Sequence, residues 1–197
     1  MKLVHSLIGA ALGLSLACGS ALAQDAAAPA APAKPPETKI IGDWIVRCFP
    51  VPSPSPCDMF QELDDQRSHQ RVLSFSIAYV PSMNGHGLQV TVPLEVAIQK
   101  GVVISSDSYT SPVLHYRYCD NGGCFVQMAI DNAAIAALGK SGPDAKVRIY
   151  ADGGKAYDLK FSLKGFAAAH DDMVEQAKAK ATKAPPAAPP AAPAPAP

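Results

Sequence analysis

RYCDNGGCFV, residues Arg117 to Val126, sets two cysteines on either side of Asp120-Asn121-Gly122-Gly123. Those four residues favour a tight turn, because aspartate and asparagine side chains hydrogen-bond the backbone ahead of them and glycine supplies positive φ. Closing the turn lays the flanking residues side by side as two strands. It brings Cys119 and Cys124 to a Cα separation of about 5.5 Å, which a disulfide bridges. A metal site or an exchanging dithiol would use the same thiols differently, and the compartment decides among the three uses.

The compartment is read from the N-terminus. Lys2 precedes an apolar run from Leu3 to about Ala17, and small residues follow up to Ala21-Leu22-Ala23 before Gln24. This is the pattern of a secretory signal peptide, residues 1–23, cut after Ala23. The run stops at Cys18-Gly19-Ser20, short of the roughly 20 apolar residues that a spanning helix needs. Cys18 raises the alternative of lipidation, which would tether the domain to a membrane. That processing favours a branched apolar residue three places upstream, where this chain has Ser15, and the small-x-small site at Ala23 is complete. A periplasmic or otherwise exported protein is therefore expected.

Loss of residues 1–23 removes Lys2 and no acid, so 17 − 1 = 16 basic residues face 17 acidic ones. A near-neutral chain without a basic cluster excludes the usual footprint of nucleic-acid binding and of electrostatic membrane docking. Cys48, Cys57, Cys119 and Cys124 remain, and in an exported chain an even count implies a disulfide framework. Four cysteines allow three connectivities, and local spacing favours Cys48 with Cys57 and Cys119 with Cys124. Zinc would require paired ligands two to four residues apart, whereas eight residues separate Cys48 from Cys57 and no histidine flanks either pair closely. A redox pair would sit at a helix N-terminus, and here a β-turn takes that place.

Residues 24–37 and 184–197 are rich in alanine and proline and read as extended spacers. Between them, residues 38–166 alternate with period two. Trp44, Val46 and Cys48 form one series, Leu73, Phe75, Ile77 and Tyr79 a second, and Leu88, Val90 and Val92 a third, continuing through Leu94, Val96 and Ile98. Val113–Cys119 pairs with Cys124–Ile130 about the quoted turn. Lys146–Tyr150 pairs with Tyr157–Leu163 about Asp152-Gly153-Gly154. Asn132 caps a short helical turn ending at Gly139, and an alanine-rich helix follows over residues 167–183, led by Phe166. The fold class expected is mainly β: an antiparallel β-sandwich or flattened barrel with a short helix and a C-terminal helix.

No reaction is written in the motifs. The chain has no G-x-S-x-G elbow, phosphate loop or H-E-x-x-H. His69, His86, His115 and His170 fall in a loop, a turn, a strand and the terminal helix, and read as unrelated side chains. Glu62-Leu63-Asp64-Asp65 reads as a solvated loop, and Trp44 as core. No catalytic, cofactor or metal residue is assigned, so the four cysteines are the only site residues expected.

Taken in order, several pieces resemble the invasion-associated locus B family of exported bacterial proteins. They are Gly42-Asp43-Trp44 leading to Cys48, Cys57 with Gln61-Glu62, and Val92-Pro93-Leu94 with Val96 and Gly101-Val102. Tyr118-Cys119 with Gly123-Cys124 and Phe161-Ser162-Leu163 with Gly165-Phe166 complete the set. The family pattern commonly has glycine where this chain has Glu95, and leucine where it has His170. The resemblance implies an exported β-rich domain with no agreed catalytic residues. The reading is thus a non-enzymatic envelope protein that binds a protein or cell-envelope component. The alternatives are a surface factor in host-cell contact and a thiol-active or metal-dependent enzyme with an unrecognised site.

Overall fold

The structure, a computed structural model, describes residues 34–183; the segments read as signal peptide and tail, with Cys18 and residues 24–33 of the first spacer, lie outside them. Ten antiparallel strands form two sheets. The larger runs in the order β1 (Glu37–Ile41), β2 (Trp44–Cys48), β3 (Cys57–Asp64), β4 (Arg71–Val80), β5 (Gly85–Val92), β8 (Gly123–Ile130), β7 (Tyr118–Asp120). The smaller runs β10 (Ala156–Ser162), β9 (Asp144–Tyr150), β6 (Val103–Ser106). Helices α1 (Asn132–Lys140) and α2 (Phe166–Lys183) complete the order. Among the described residues no ladder closes one sheet onto the other, so they form no flattened barrel.

Period-two burial places Trp44, Val46, Met59, Leu73, Phe75, Ile77, Leu88, Val90 and Val126 on one face of the large sheet, all buried. That face is covered from two directions. Phe161 of β10 stacks on Phe75 at 4.6 Å, and Phe166 at the start of α2 meets Trp44 edge-on at 5.3 Å. Such aromatic pairs add about 0.5–1.5 kcal/mol each beyond the area they bury. Buried Gln61 joins the parts: its Nε2 donates to Asp43 O at 2.9 Å, and Ser162 N donates to its Oε1 at 2.8 Å.

The β1–β2 turn and the β10–α2 turn meet backbone to backbone. Gly42 (φ +61°) and Gly165 (φ +80°) abut, and a Cβ on Gly42 would lie 2.4 Å from Lys164 O. Only glycine fits that approach and that backbone region together. It seats α2 on the sheet.

The structure departs from the periodicity in four places. Leu94–Ile98 is not a strand: Pro93 removes a donor, Glu95 turns left-handed at φ +66°, and Val96 keeps one isolated bridge to Ala151. Val113–Arg117 is not a strand either, apart from a bridge at Leu114. Asp131, not Asn132, caps α1, its Oδ1 accepting from Ala134 N at 2.6 Å, and the helix passes Gly139 to end at Lys140. Glu62 and Asp64 belong to β3 rather than to a loop.

Candidate functional site

The structure closes Cys48–Cys57 and Cys119–Cys124. Each joins residues directly opposite across an antiparallel pair. Phe49 N bonds Pro56 O and Arg117 N bonds Phe125 O, so both disulfides fall at non-hydrogen-bonded positions. Their Cα separations are accordingly 4.1 and 4.0 Å, closer than the 5.5 Å of a hydrogen-bonded pair.

Among the described residues, nothing forms a layer over the face of the large sheet opposite the core. Its registers form three transverse rows: Glu62-Ser74-Thr91-Phe125-Tyr118, then Phe60-Ser76-Gln89-Gln127, then Arg47-Asp58-Ala78-Gly87-Ala129. The two middle strands thus carry serine, alanine, glycine and threonine, with Gln89 the one large side chain among them. The flanking strands carry aromatic rings and arginine, so the face is a trough. Asp58, Ser74 and Thr91 are only 8, 7 and 2% exposed although nothing is stacked on them; the walls shield them. Two concavities of about 770 and 620 Å³ share Arg47, Phe60, Ser74 and Gln89 and form one depression.

One wall is Arg47, whose guanidinium lies 3.8 Å over the Phe60 ring and grips Asp58 through Nε and Nη2 at 2.9 and 2.5 Å. Ser76 Oγ donates to the same carboxylate at 2.9 Å. The opposite wall is Phe125, stacked on Tyr118 at 4.7 Å. At one end Arg71 Nη2 donates to Gly122 O, and its Nη1 lies 3.8 Å from Glu62. Cations and acids balance along the trough. Strand spacing puts the walls on β3 and β8 about 14 Å apart at the backbone, and Ser74 to Val80 spans about 20 Å. An extended chain of about six residues has that length.

Behind the sheet, a second cavity of about 440 Å³ lies between α1, α2 and the ends of β4 and β5. It is lined mainly by apolar groups, including Ile135, Phe166 and Val174. Here the fold brings together two histidines that the sequence reading kept apart: His86 Nε2 and His170 Nε2 are 2.9 Å from each other. His86 Nδ1 is 3.0 Å from Asn132 Oδ1, and His170 Nδ1 is 3.1 Å from Asp171 Oδ1. Burial, helped by the neighbouring His170 charge, holds His86 below the usual imidazole range. His69 and His115 are exposed and join neither site. The departure at His170, where the family pattern has leucine, marks one member, and nothing in the sequence marks the pair. The trough had no single signal, since it is made by small residues at alternate positions of two strands.

Among the described residues no group of three or more His, Cys, Asp or Glu is arranged to hold a metal, and every cysteine is in a disulfide. Among them, too, no helix is long and apolar enough to cross a membrane.

Comparison with known proteins places this architecture. The family model described as Invasion associated locus B (IalB) protein matches residues 44–174. An invasion protein B homolog of Brucella abortus (strain 2308) is 32% identical over 130 residues, covering 66% of this chain and 74% of its own. The homolog in Brucella abortus biovar 1 (strain 9-941) gives the same figures. The crystal structure of invasion associated protein B from Bartonella henselae superposes with a TM-score of 0.62 at 21% identity. It matches 71% of this chain and 97% of that one, and supports the fold. The order of motifs, the matched sequence and the shared architecture agree, and the chain belongs to the invasion associated locus B family.

Proposed function

We propose that this chain is an exported, non-enzymatic binding protein of the cell envelope, and that the trough on the large sheet takes an extended segment of a partner protein. The observation that supports this most is the construction of the trough: a floor of small polar side chains between two rigid walls, long enough for about six extended residues. Its balanced charge disfavours polyanions. Its aromatic faces disfavour sugar stacking, because Arg47 covers Phe60 and Tyr118 covers Phe125.

A peptide also finds backbone to pair with beside the trough. Phe125 O accepts from Arg117 N, so Gln127 and Ala129, of the same parity, turn their N–H and C=O groups to the same edge. Strand β7 ends at Tyr118 and does not reach them. An exposed edge of this kind is where strand addition occurs.

The test is selection of displayed random dodecapeptides on the folded, disulfide-intact protein. Peptides so selected are expected to bind the parent protein and to lose at least tenfold in affinity when Ser76→Trp fills the floor, with thermal stability retained. A substitution on the small sheet, Lys160→Trp, is expected to leave binding unchanged. Peptide binding that is indifferent to Ser76→Trp, or selection no better than background while an envelope oligosaccharide binds, would overturn the reading.

The relatives' names speak of invasion, which favours a second reading: the bound protein belongs to a host cell and the domain is displayed outside. Accessibility to protease on intact cells separates the two, since a periplasmic protein is protected and a displayed one is cut.

A further inference from the structure

The histidine pair belongs to neither the trough nor the disulfide framework, and its hydrogen bonds carry an inference of their own. Asp171 Oδ1 is a carboxylate oxygen and accepts only, so His170 carries its proton on Nδ1. Asn132 presents Oδ1 to His86 Nδ1, which places a proton there as well. With both Nδ1 atoms protonated, the two neutral rings turn bare Nε2 lone pairs toward each other across 2.9 Å. Lone pairs so disposed repel each other, and a metal ion seated between them relieves the repulsion.

Second-partner geometry is what metal-binding imidazoles require, since a ligating histidine donates its other N–H to a carboxylate or carbonyl oxygen that fixes tautomer and ring orientation. His86 and His170 each have that partner. We propose that His86 and His170 form a two-histidine seat for an exchangeable divalent transition-metal ion of the zinc and copper class, joining β5 to α2. Nitrogen ligands at about 2.0–2.1 Å in tetrahedral geometry sit about 3.3 Å apart, so the rings separate by about 0.4 Å to admit the ion. His170 is half-buried on the first turns of α2 and has room to give. The cavity of about 440 Å³ on the open side has room for water to complete the shell. With two protein ligands the ion exchanges with solvent, unlike the closed four-ligand set of a structural zinc site.

The experiment titrates Zn2+, and separately Cu2+, into the mature disulfide-intact protein by calorimetry, with imidazole 15N spectra recorded at each step. One equivalent is expected to bind. The resonances of His86 and His170 are expected to start as Nδ1–H tautomers and to move on Nε2, while His69 and His115 stay still. His170→Gln is expected to weaken binding at least tenfold, and His86→Gln likewise if circular dichroism shows it folded. His115→Gln is expected to change nothing. A His86 resonance in the Nε2–H form that does not move with excess Zn2+ would show the pair to be a plain neutral hydrogen bond and overturn the proposal. Zinc affinity unchanged in folded His170→Gln would overturn it equally.

Discussion

Two positions share a positive φ and should respond to substitution with opposite signs. Glu95 has φ +66° and Gly42 φ +61°. A side chain there costs about 1–2 kcal/mol through the contact of Cβ with the following carbonyl. The Glu95 side chain is exposed and makes no hydrogen bond or ion pair among the described residues, and its carbonyl still accepts from Asp152 N at 2.9 Å if glycine replaces it. Glycine returns about 0.4–1 kcal/mol to the unfolded chain as entropy. The net expected for Glu95→Gly is a gain of about 0 to 1.6 kcal/mol, centred near 0.8. At Gly42 the same arithmetic runs in reverse, and the new Cβ meets Lys164 O at 2.4 Å and Gly165 Cα at 2.9 Å, backbone atoms that cannot rotate away. Overpacking adds about 1–3 kcal/mol, so Gly42→Ala should lose about 1–5 kcal/mol in all. Urea unfolding followed by Trp44 fluorescence reads both, since that is the single tryptophan and is fully buried. At an m-value of about 1–3 kcal/mol/M, Glu95→Gly raises the midpoint by about 0.3–0.8 M without changing the slope. A lower midpoint at equal slope would show that the carboxylate side chain contributes more than the backbone relief, and would refute the reasoning. An unchanged midpoint for Gly42→Ala would deny the backbone contact that seats α2.

The remaining expectations concern the disulfides, the Arg47 wall and acid. Replacing Cys48 and Cys57 by alanine should cost about 2.6 kcal/mol and replacing Cys119 and Cys124 about 2.1, from loop closures of 9 and 5 residues. The first pair is also buried beneath α2, so its loss measured by urea unfolding should be the larger. Arg47→Met removes the guanidinium from over Phe60 and leaves Asp58 with Ser76 alone, and should cost about 2–4 kcal/mol, somewhat under the figure for a fully buried pair; a loss below about 0.5 kcal/mol, on the order of an exposed pair, would mean that solvent screens the carboxylate. His86 is held below its unfolded value of about 6.5 and is faced by Tyr79 on β4, Asn132 on α1, and His170 with Asp171 on α2. Below that pH the unfolded chain binds the extra proton, so the contribution of this group is full above about 6.5 and is lost as pH falls through the folded value. Urea midpoints from pH 8 to pH 5 should fall accordingly, and His86→Gln should flatten that part of the profile.

How much of this could be read in the sequence depends on where the determinants sit. The strands of the large sheet were legible because β2, β4 and β5 each bury one face and solvate the other, and a one-residue slip in any would move its whole apolar set to the wrong side. Leu94, Val96 and Ile98 continue the same alternation, yet the left-handed Glu95 breaks it. Alternation reports side-chain polarity and is blind to φ. Asn132 looked like a cap because its side chain suits one; Asp131 holds that position, and the Asn132 amide is turned to His86 instead. His86 and His170 are 84 residues apart and meet only through the packing of α2 on the sheet. No local pattern carries such a contact. The floor of the trough is visible as the serines and glycines between the core residues, but its walls depend on registers across six strands, which the sequence does not state.

Those registers give the disulfides a place in the binding reading. Cys48 and Cys57 stand one residue along from Arg47 and Asp58 on β2 and β3, and Cys119 and Cys124 one residue along from Tyr118 and Phe125 on β7 and β8. Because neighbouring strand residues point to opposite faces, each bridge lies behind the sheet from the wall it adjoins. A covalent clamp at that point fixes the separation of two strands without occupying the face that meets a ligand. The Arg47–Phe60 stack and the Tyr118–Phe125 stack are then set before any ligand arrives, and the ordering that an extended segment must undergo falls mainly on the segment itself. β7 is the strand for which this matters most. It has three residues at the margin of the sheet, all exposed, and it closes through a turn whose Gly122 carbonyl holds Arg71. Without the Cys119–Cys124 bridge that strand is short enough to fray, and the end of the trough formed by Asp120 to Gly122 would go with it. Loss of this bridge should therefore weaken peptide binding by more than its share of the global stability, whereas loss of the bridge beneath α2 should act chiefly on stability. Comparing the two alanine pairs at a temperature where both remain folded separates wall placement from general loosening, because general loosening would rank them the other way round.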